Sequence, residues 1–438
     1  MGDWQATSLL DEIDLLTGFP FKSDEYTEDP SGIKLVRGDN VVQGRLRWDG
    51  VKLWPRTGLE ACERYLLDDG DVVLAMDRPW IEAGLKYARL TTHDLPALLV
   101  QRVARLRGGD SLDQRFLYYL IGSRAFTDHV LAVQTGTAVP HISGKQIQSF
   151  DFILPPLDEQ RAIASVLGSL DDKIELNRRM NRTLEQMTVA IVKAWFVDFE
   201  PVRAKASGAA SFPGMPQPVF DALPATFADS ELGPIPEGWE VRTVSDFARL
   251  SKSSVKPQEH AEEVFDHFSI PAFDSGQTPS ADSGESIKSN KFAVVGGCIL
   301  VSKLNPRIPR VWLSPVQTGR RQIASTEFLV IVPNDESARA YLWCQFRQPV
   351  FADDMAQRAS GTSGSHQRVK PGDFMSMAVV QPSSDVVEAF ATLVVPKLRL
   401  IEGNRSESQT LAETRDALLP KLLSGKFPIS QSECSGVA

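Results

Sequence analysis

Two periods of apolar residues run through the chain. Short β-rich runs, "DVVLAM" and "LLVQRVARL" in the first half and "CILVSKL" and "EFLVIV" in the second, have strand length. Each pair is followed by a short helical stretch ("DQRFLYYLIGSRAF", "ARAYLWCQFRQPVF"), then by a Gly-Thr loop, then by another strand ("DFILP", "MAVVQP"). A long helical pattern closes each half. In the first, Ile163, Leu167, Leu170, Ile174, Asn177, Asn181, Leu184, Thr188, Ile191 and Trp195 recur at alternating spacings of four and three, the seam of a coiled coil. About 40 residues at 1.5 Å each give a helix of roughly 60 Å, too long for one domain to cover, so a partner helix is required. The second long pattern, from about Asp385 to Ser424, supplies it, with Ile401, Asn404 and Leu411 on the matching seam. Pro396 is expected to break or kink its first third. Asn177 and Asn404 on equivalent seams would fix the register at some loss of stability.

The order of elements repeats because the sequence repeats. At a shift of 225, Phe126 falls on Phe351, and Gly136, Thr137 and His141 fall on Gly361, Thr362 and His366. At 227, "DGDVVLAMDRP" meets "GGCILVSKLNP" and "IELNRRMNRTL" meets "IEGNRSESQTL". Near the starts, Trp4 and Asp11 meet Trp239 and Asp246 at 235. An ordered series at nearly constant offset marks a duplication. The expected organisation is α+β, with two tandem domains (1–156 and 237–384) joined by two long helices (157–198 and 385–427) packed as an antiparallel coiled coil. Between the halves, 199–236 is rich in Pro, Ala, Ser and Gly and reads as a linker with little regular structure, and 428–438 reads as a flexible tail.

Composition narrows the function. The 438 residues are 42% hydrophobic and 24% charged, ordinary for a globular protein. The longest apolar runs are strand-length, so no membrane partner is expected, and the acidic start lacks the basic region of a signal peptide. Four scattered cysteines form no zinc-type pair and no disulfide framework; the expected compartment is the cytoplasm, and no metal is expected. No Walker loop, Rossmann glycine motif or Gly-x-Ser-x-Gly elbow is present. A chain this long without a catalytic motif reads as a binding or scaffolding protein. Net charge is −9, but seven basic residues between Lys288 and Arg321 have no acid among them. Local charge is what a groove feels. Two similar domains related by an approximate two-fold would match the half-sites of duplex DNA, and because the halves differ, the site they read would be asymmetric and bipartite.

The segment "LPPLDEQRAIASVLGSLDDKIELNRRMNRTLEQM", with "WFVDFEPVRAKA" after it, resembles the central conserved region of the DNA-specificity subunits of type I restriction–modification systems. "GPIPEGWEV" is similar to the usual start of that family's second target recognition domain, and "LLPKLLSGKF" to its C-terminal region. The resemblance implies a non-catalytic, cytoplasmic subunit that binds double-stranded DNA at a split site. It implies two adenine methyltransferase partners carrying S-adenosylmethionine, and, where present, restriction subunits that use ATP and Mg. No cofactor would be bound by this chain itself. The rival reading is a non-catalytic coiled-coil adaptor whose two end domains bind proteins.

Candidate DNA contacts follow from residue type. The Gly-Thr loops permit close backbone approach, and Thr137, Thr362 and Ser365 can donate to phosphates. His141, Lys145, His366, Gln367, Arg368 and Lys370 are within or beside those loops and suit base edges or backbone. Lys303, Arg307 and Arg310 lie in or beside a Pro-punctuated loop suited to groove insertion, and Arg320 and Arg321 suit phosphate. Arg102, Arg105 and Arg107 alternate with apolar residues along a strand; they line a basic face or form its solvated side. Trp48 and Trp54 read as core aromatics rather than base-stacking platforms.

Overall fold

A computed structural model of the chain describes residues 4–81, 83–136, 138–316, 319–360 and 367–426. The fold is mixed helix and sheet, and two helices dominate it: Leu157–Val192, prolonged by the π-helical turn Lys193–Val197, and Ser384–Leu423. Two compact units divide the chain, and each takes one end of both helices. One unit comprises 1–173 and 410–438, the other 174–409.

In the first unit, a five-stranded sheet has the order Ile13–Thr17, Val103–Gly108, Val72–Ala75, Tyr87–Arg89, Gln43–Gly44. A smaller sheet holds Ala97–Leu99, Ile33–Val36 and Leu53–Trp54. The strand Gln5–Ser8 pairs antiparallel with Asp151–Leu154, tying the start of the chain to the strand that precedes the long helix. Gln160 fixes that helix to its domain. Fully buried, it donates to the Pro155 and Ser111 carbonyls at 2.7 and 2.8 Å and accepts from the Asp113 amide at 2.8 Å. The two helix ends meet over one core, with Ile163 and Leu167 beside Leu422, and Arg415 donates to Asp171 at 2.7 Å.

The second unit repeats the plan. Ala248–Ser251, Phe328–Pro333, Ile299–Ser302 and Val311–Leu313 form one sheet, and Glu240–Thr243 pairs with Ala378–Gln381 as Gln5–Ser8 does with Asp151–Leu154. The helices here run antiparallel, since Asn177 reaches the Asn404 carbonyl and Ser408 while Asn181 reaches the Ile401 carbonyl. None of the ten seam positions of the first helix is exposed. Ile174, Asn177, Asn181, Ile401 and Asn404 are buried, and Leu184 and Leu411 are half-buried. Asn404 donates to Asn181 at 2.8 Å, so these two seam amides pair directly across the helices. Glu185, also facing the seam, accepts from Arg347 and Arg405 at 2.7 Å each.

Two expectations fail. Pro396 does not interrupt the second helix, which runs unbroken from Ser384 to Leu423. The proline lies on the exposed face while Val394, Leu398 and Ile401 are buried, so core packing carries the helix past the lost N–H. The segment 199–236 is no unstructured linker either. It carries the helices Glu200–Ala206 and Gln217–Ala222 and a two-stranded pairing of Phe227–Ala228 with Ile235–Pro236. Val202, Met215, Phe220, Leu223 and Ile235 bury into the second unit's core, so sparse apolar anchors outweigh a loop-like composition. The tail expected at 428–438 lies outside the described residues.

Candidate nucleic-acid interface

The Gly-Thr loops spring from the same backbone ladder in both units. In the first, Thr135 and His141 exchange amide–carbonyl bonds of 2.9 and 2.7 Å. Ile142 then donates to the Met76 carbonyl at 2.9 Å, Arg78 to Pro140 at 2.6 Å, and Met76 to Arg102 at 2.8 Å. In the second, Ser360 and Arg368 exchange bonds of 3.0 Å each. Val369 donates to Lys303 at 3.1 Å, Asn305 to Gln367 at 2.8 Å, and Lys303 to Glu327 at 2.9 Å. Even the backbone twist recurs: Arg78 and Asn305 both hold the left-handed conformation, with φ of 45° and 50°.

This ladder corrects the alignment of the two loops. Ile142 and Val369 make the same bond, so the shift at the loop exit is already 369 − 142 = 227. The two extra residues of the second copy therefore fall inside its loop. His141 is the counterpart of Arg368, not of His366. Thr137, Thr362, Ser365 and His366 lie outside the described residues.

The side chains on the ladder differ. In the first unit, His141 Nδ1 meets Asp77 Oδ1 at 2.6 Å, and Arg102 Nη1 lies 3.5 Å from the same oxygen. Arg78 and Arg102 are exposed beside them, Lys145 is exposed on the short helix Gly144–Gln148 that follows, and Lys86 is half-buried, its pKa lowered by burial against the opposing pull of Asp39. In the second unit, Arg368 donates through Nε and Nη2 to Glu327 at 3.0 and 3.1 Å, and that pairing raises its already high pKa. Lys303 and Gln367 are half-buried there, and Arg307 and Lys370 are exposed. Lys303, Arg307, Gln367, Arg368 and Lys370 are thus brought together on one ladder and the turn Asn305–Ile308 that it holds. Among the described residues, Arg307 and Lys370 pair with no acid.

Other candidates are placed elsewhere. Arg105 is buried in an ion pair with Asp14, and Arg107 pairs with Asp71 and Asp68 at 2.5 and 2.6 Å. The alternating arginines therefore form neither a free basic face nor a simply solvated one, because the adjacent strand and turn supply acids. Arg102 precedes the strand, in left-handed conformation. Arg310 is likewise withdrawn, its side chain 11% exposed and bound side-on to Asp274 at 2.7 and 2.8 Å. Arg320 and Arg321 face Asp266 and Glu263 at 3.5 and 3.7 Å. The run from Lys288 to Arg321 lacks acids in sequence, but the preceding segment brings them in space. Trp48 and Trp54 are core aromatics as expected: Trp48 donates to Asp94 at 2.7 Å, and Trp54 packs edge-on against Phe21.

Asp77, Arg78, Lys86 and Glu327 were not singled out from the sequence. The signal for two of them was present in the alignment of "DGDVVLAMDRP" with "GGCILVSKLNP", which ends on the ladder residues Asp77 and Arg78. Among the described residues, no cluster of His, Cys, Asp or Glu is arranged to hold a metal, and no helix is long and apolar enough to cross a membrane.

Residues 1–186 match the family described as type I restriction modification DNA specificity domain. The MjaVIII type I restriction enzyme specificity subunit of Methanocaldococcus jannaschii is 34% identical over 185 residues, 42% of this chain and 43% of that protein, so the chain matches less than half of that relative's length. The HindI specificity subunit of Haemophilus influenzae is 26% identical over 360 residues, covering 71% of this chain and 77% of that one. A solved structure of a type I restriction-modification system S subunit from M. genitalium covers 98% of this chain and 97% of its own, with a TM-score of 0.52 at 14% identity, which bears on the fold alone.

Proposed function

We propose that the chain is a type I restriction–modification DNA specificity subunit, the sequence-reading subunit of such a complex. Each unit would read one half of an asymmetric, gapped duplex site, and the helix pair would set the gap and dock the partners. Those partners are two adenine methyltransferase subunits, which bring S-adenosylmethionine, and, where the system restricts, subunits that use ATP and Mg. The chain itself performs no catalysis and binds no cofactor.

The observation that carries this reading is the duplicated ladder. One backbone framework occurs twice and is rimmed by cations both times: Arg78, Arg102 and Lys145 in one unit, Lys303, Arg307 and Lys370 in the other. Exposed Lys and Arg suit phosphate contact, which positions a protein on DNA without specifying sequence. A net charge of −9 is tolerable if the methyltransferase subunits share the phosphate contacts. The deciding experiment is an adenine-methylation map of cells expressing the chain with its methyltransferase partner. A gapped, asymmetric methylated motif is expected. Absence of such a motif, with the complex assembled, rejects the reading in favour of a protein-binding adaptor.

A further inference from the structure

Three side chains on the ladder occupy equivalent positions in the two units and differ in chemistry at all three. Asp77, Arg102 and His141 in the first stand where Leu304, Glu327 and Arg368 stand in the second, as the shared backbone bonds require. In one unit the acid comes from the turn after the central strand and the basic group opposite is Arg102. In the other the turn position is apolar, and the acid stands where Arg102 did. A framework kept twice, with its exposed chemistry exchanged, is how a duplicated reader would acquire two targets.

We infer that the residue closing each Gly-Thr loop, His141 in one unit and Arg368 in the other, is a base-reading residue, aimed by a carboxylate, Asp77 or Glu327, that acts as a positioning residue. The inference rests on the function proposed above. Both side chains are partly exposed, 30% for His141 and 42% for Arg368, while both backbones are fixed on two sides by the ladder. A long side chain on DNA loses rotamer freedom on binding, and a carboxylate that already fixes it reduces that loss. The loop exit is therefore where a side chain is both rigid and accessible.

The two aims imply different bases. The guanidinium of Arg368 carries five N–H donors, and Glu327 engages two of its nitrogens side-on. Such a group matches the two acceptors that guanine presents in the major groove. His141 turns Nδ1 to Asp77, so in the neutral ring with Nδ1–H donated, Nε2 is an acceptor. An acceptor suits the exocyclic amino group of adenine or cytosine. The second unit should thus require a guanine at one position of its half-site, and the first unit an amino-bearing base at one position of its own.

The test maps adenine methylation in cells expressing the methyltransferase partner with the wild-type chain or with Arg368→Ala, Glu327→Gln, His141→Ala or Asp77→Asn. Arg368→Ala should lose a guanine requirement at one position of one half-site, a fall in discrimination of about 5- to 150-fold, with the other half unchanged. His141→Ala should relax one position of the opposite half. The two carboxylate variants, which keep side-chain volume, should relax the same positions as their partners, while full methylation of the original site persists. A purely structural role would lower methylation at every site without altering the motif. An unaltered motif in all four variants overturns the inference, as does loss of all methylation in both isosteric variants. Failure of the wild-type chain to yield any gapped motif would reject the specificity-subunit reading itself.

Discussion

The seam pair Asn181–Asn404 allows the helix interface to be tested by a cycle with a definite sign. Both side chains are at most 8% exposed, and Asn404 Nδ2 donates to Asn181 Oδ1 at 2.8 Å, while Asn181 Nδ2 donates to the Ile401 carbonyl at 3.2 Å. Replacing Asn404 by the similarly sized leucine removes the donor and leaves Asn181 Oδ1 buried without it, a loss of about 1–3 kcal/mol. Asn181→Leu strands the Asn404 amide in the same way. Replacing both removes the stranded groups together and continues the apolar seam, so the double variant should be near neutral or more stable than the parent. With the double variant near neutral, the expected coupling is the sum of the two single losses, about 2–6 kcal/mol, and opposite to them in sign. Urea denaturation of the four proteins, followed by the fluorescence of Trp195 and Trp343 in this unit's core, measures the cycle. Two single losses that simply add in the double variant would show that the amides do not compensate one another, and the direct pairing of the two seam amides would have to be abandoned.

Removing the acid at the centre of the Arg347–Glu185–Arg405 cluster should be more severe. Burial already lowers the pKa of Arg405 against the opposing effect of Glu185, and Glu185→Ala would leave two largely buried cations unpaired, about 3–5 kcal/mol, read as a depressed unfolding midpoint. A change below about 1 kcal/mol would mean that water reaches the pair. Arg307→Ala should leave the melting temperature unchanged and reduce the slope of log binding constant against log salt by about 1, whereas Arg105→Ala should lower stability and leave that slope alone. The opposite pattern would exchange the roles given to these two arginines. Cys344 is fully enclosed, and burial pushes its thiol up to about 12, so at pH 8 about one thiol in 10⁴ is ionised. It should resist alkylation until the chain unfolds, and rapid labelling of native protein, mapped by mass spectrometry, would contradict the packing.

What the sequence made legible followed from periodicity, and what it hid followed from contacts between distant segments. The long helices could be read because a four-three seam constrains every turn, and Asn177, Asn181 and Asn404 could be placed on it because they keep that spacing where the series turns polar. The duplication gave the order of strands in each half, since equal offsets imply equal connections. Pro396 misled because local chemistry forbids a helix only where the packing does not already enforce one. The segment 199–236 misled for the same reason in reverse: its composition has few apolar residues, but Val202, Phe220 and Ile235 are enough to dock it. Charge was the least legible property. Arg105, Arg310 and Arg321 look alike in the sequence, yet Asp14, Asp274 and Glu263 approach them from segments 36 to 91 residues away, and only the fold brings those acids to them. The same limit explains the misaligned histidines. Gly-Thr at the loop entrance invites a register of 225, but the bonds of Ile142 and Val369 fix 227 at the exit, and a two-residue insertion between them is invisible to residue matching when a chance histidine falls in place. The divergence lies in the loops and in the side chains at their exits, where a repeated backbone ladder can change what it contacts without changing how it folds.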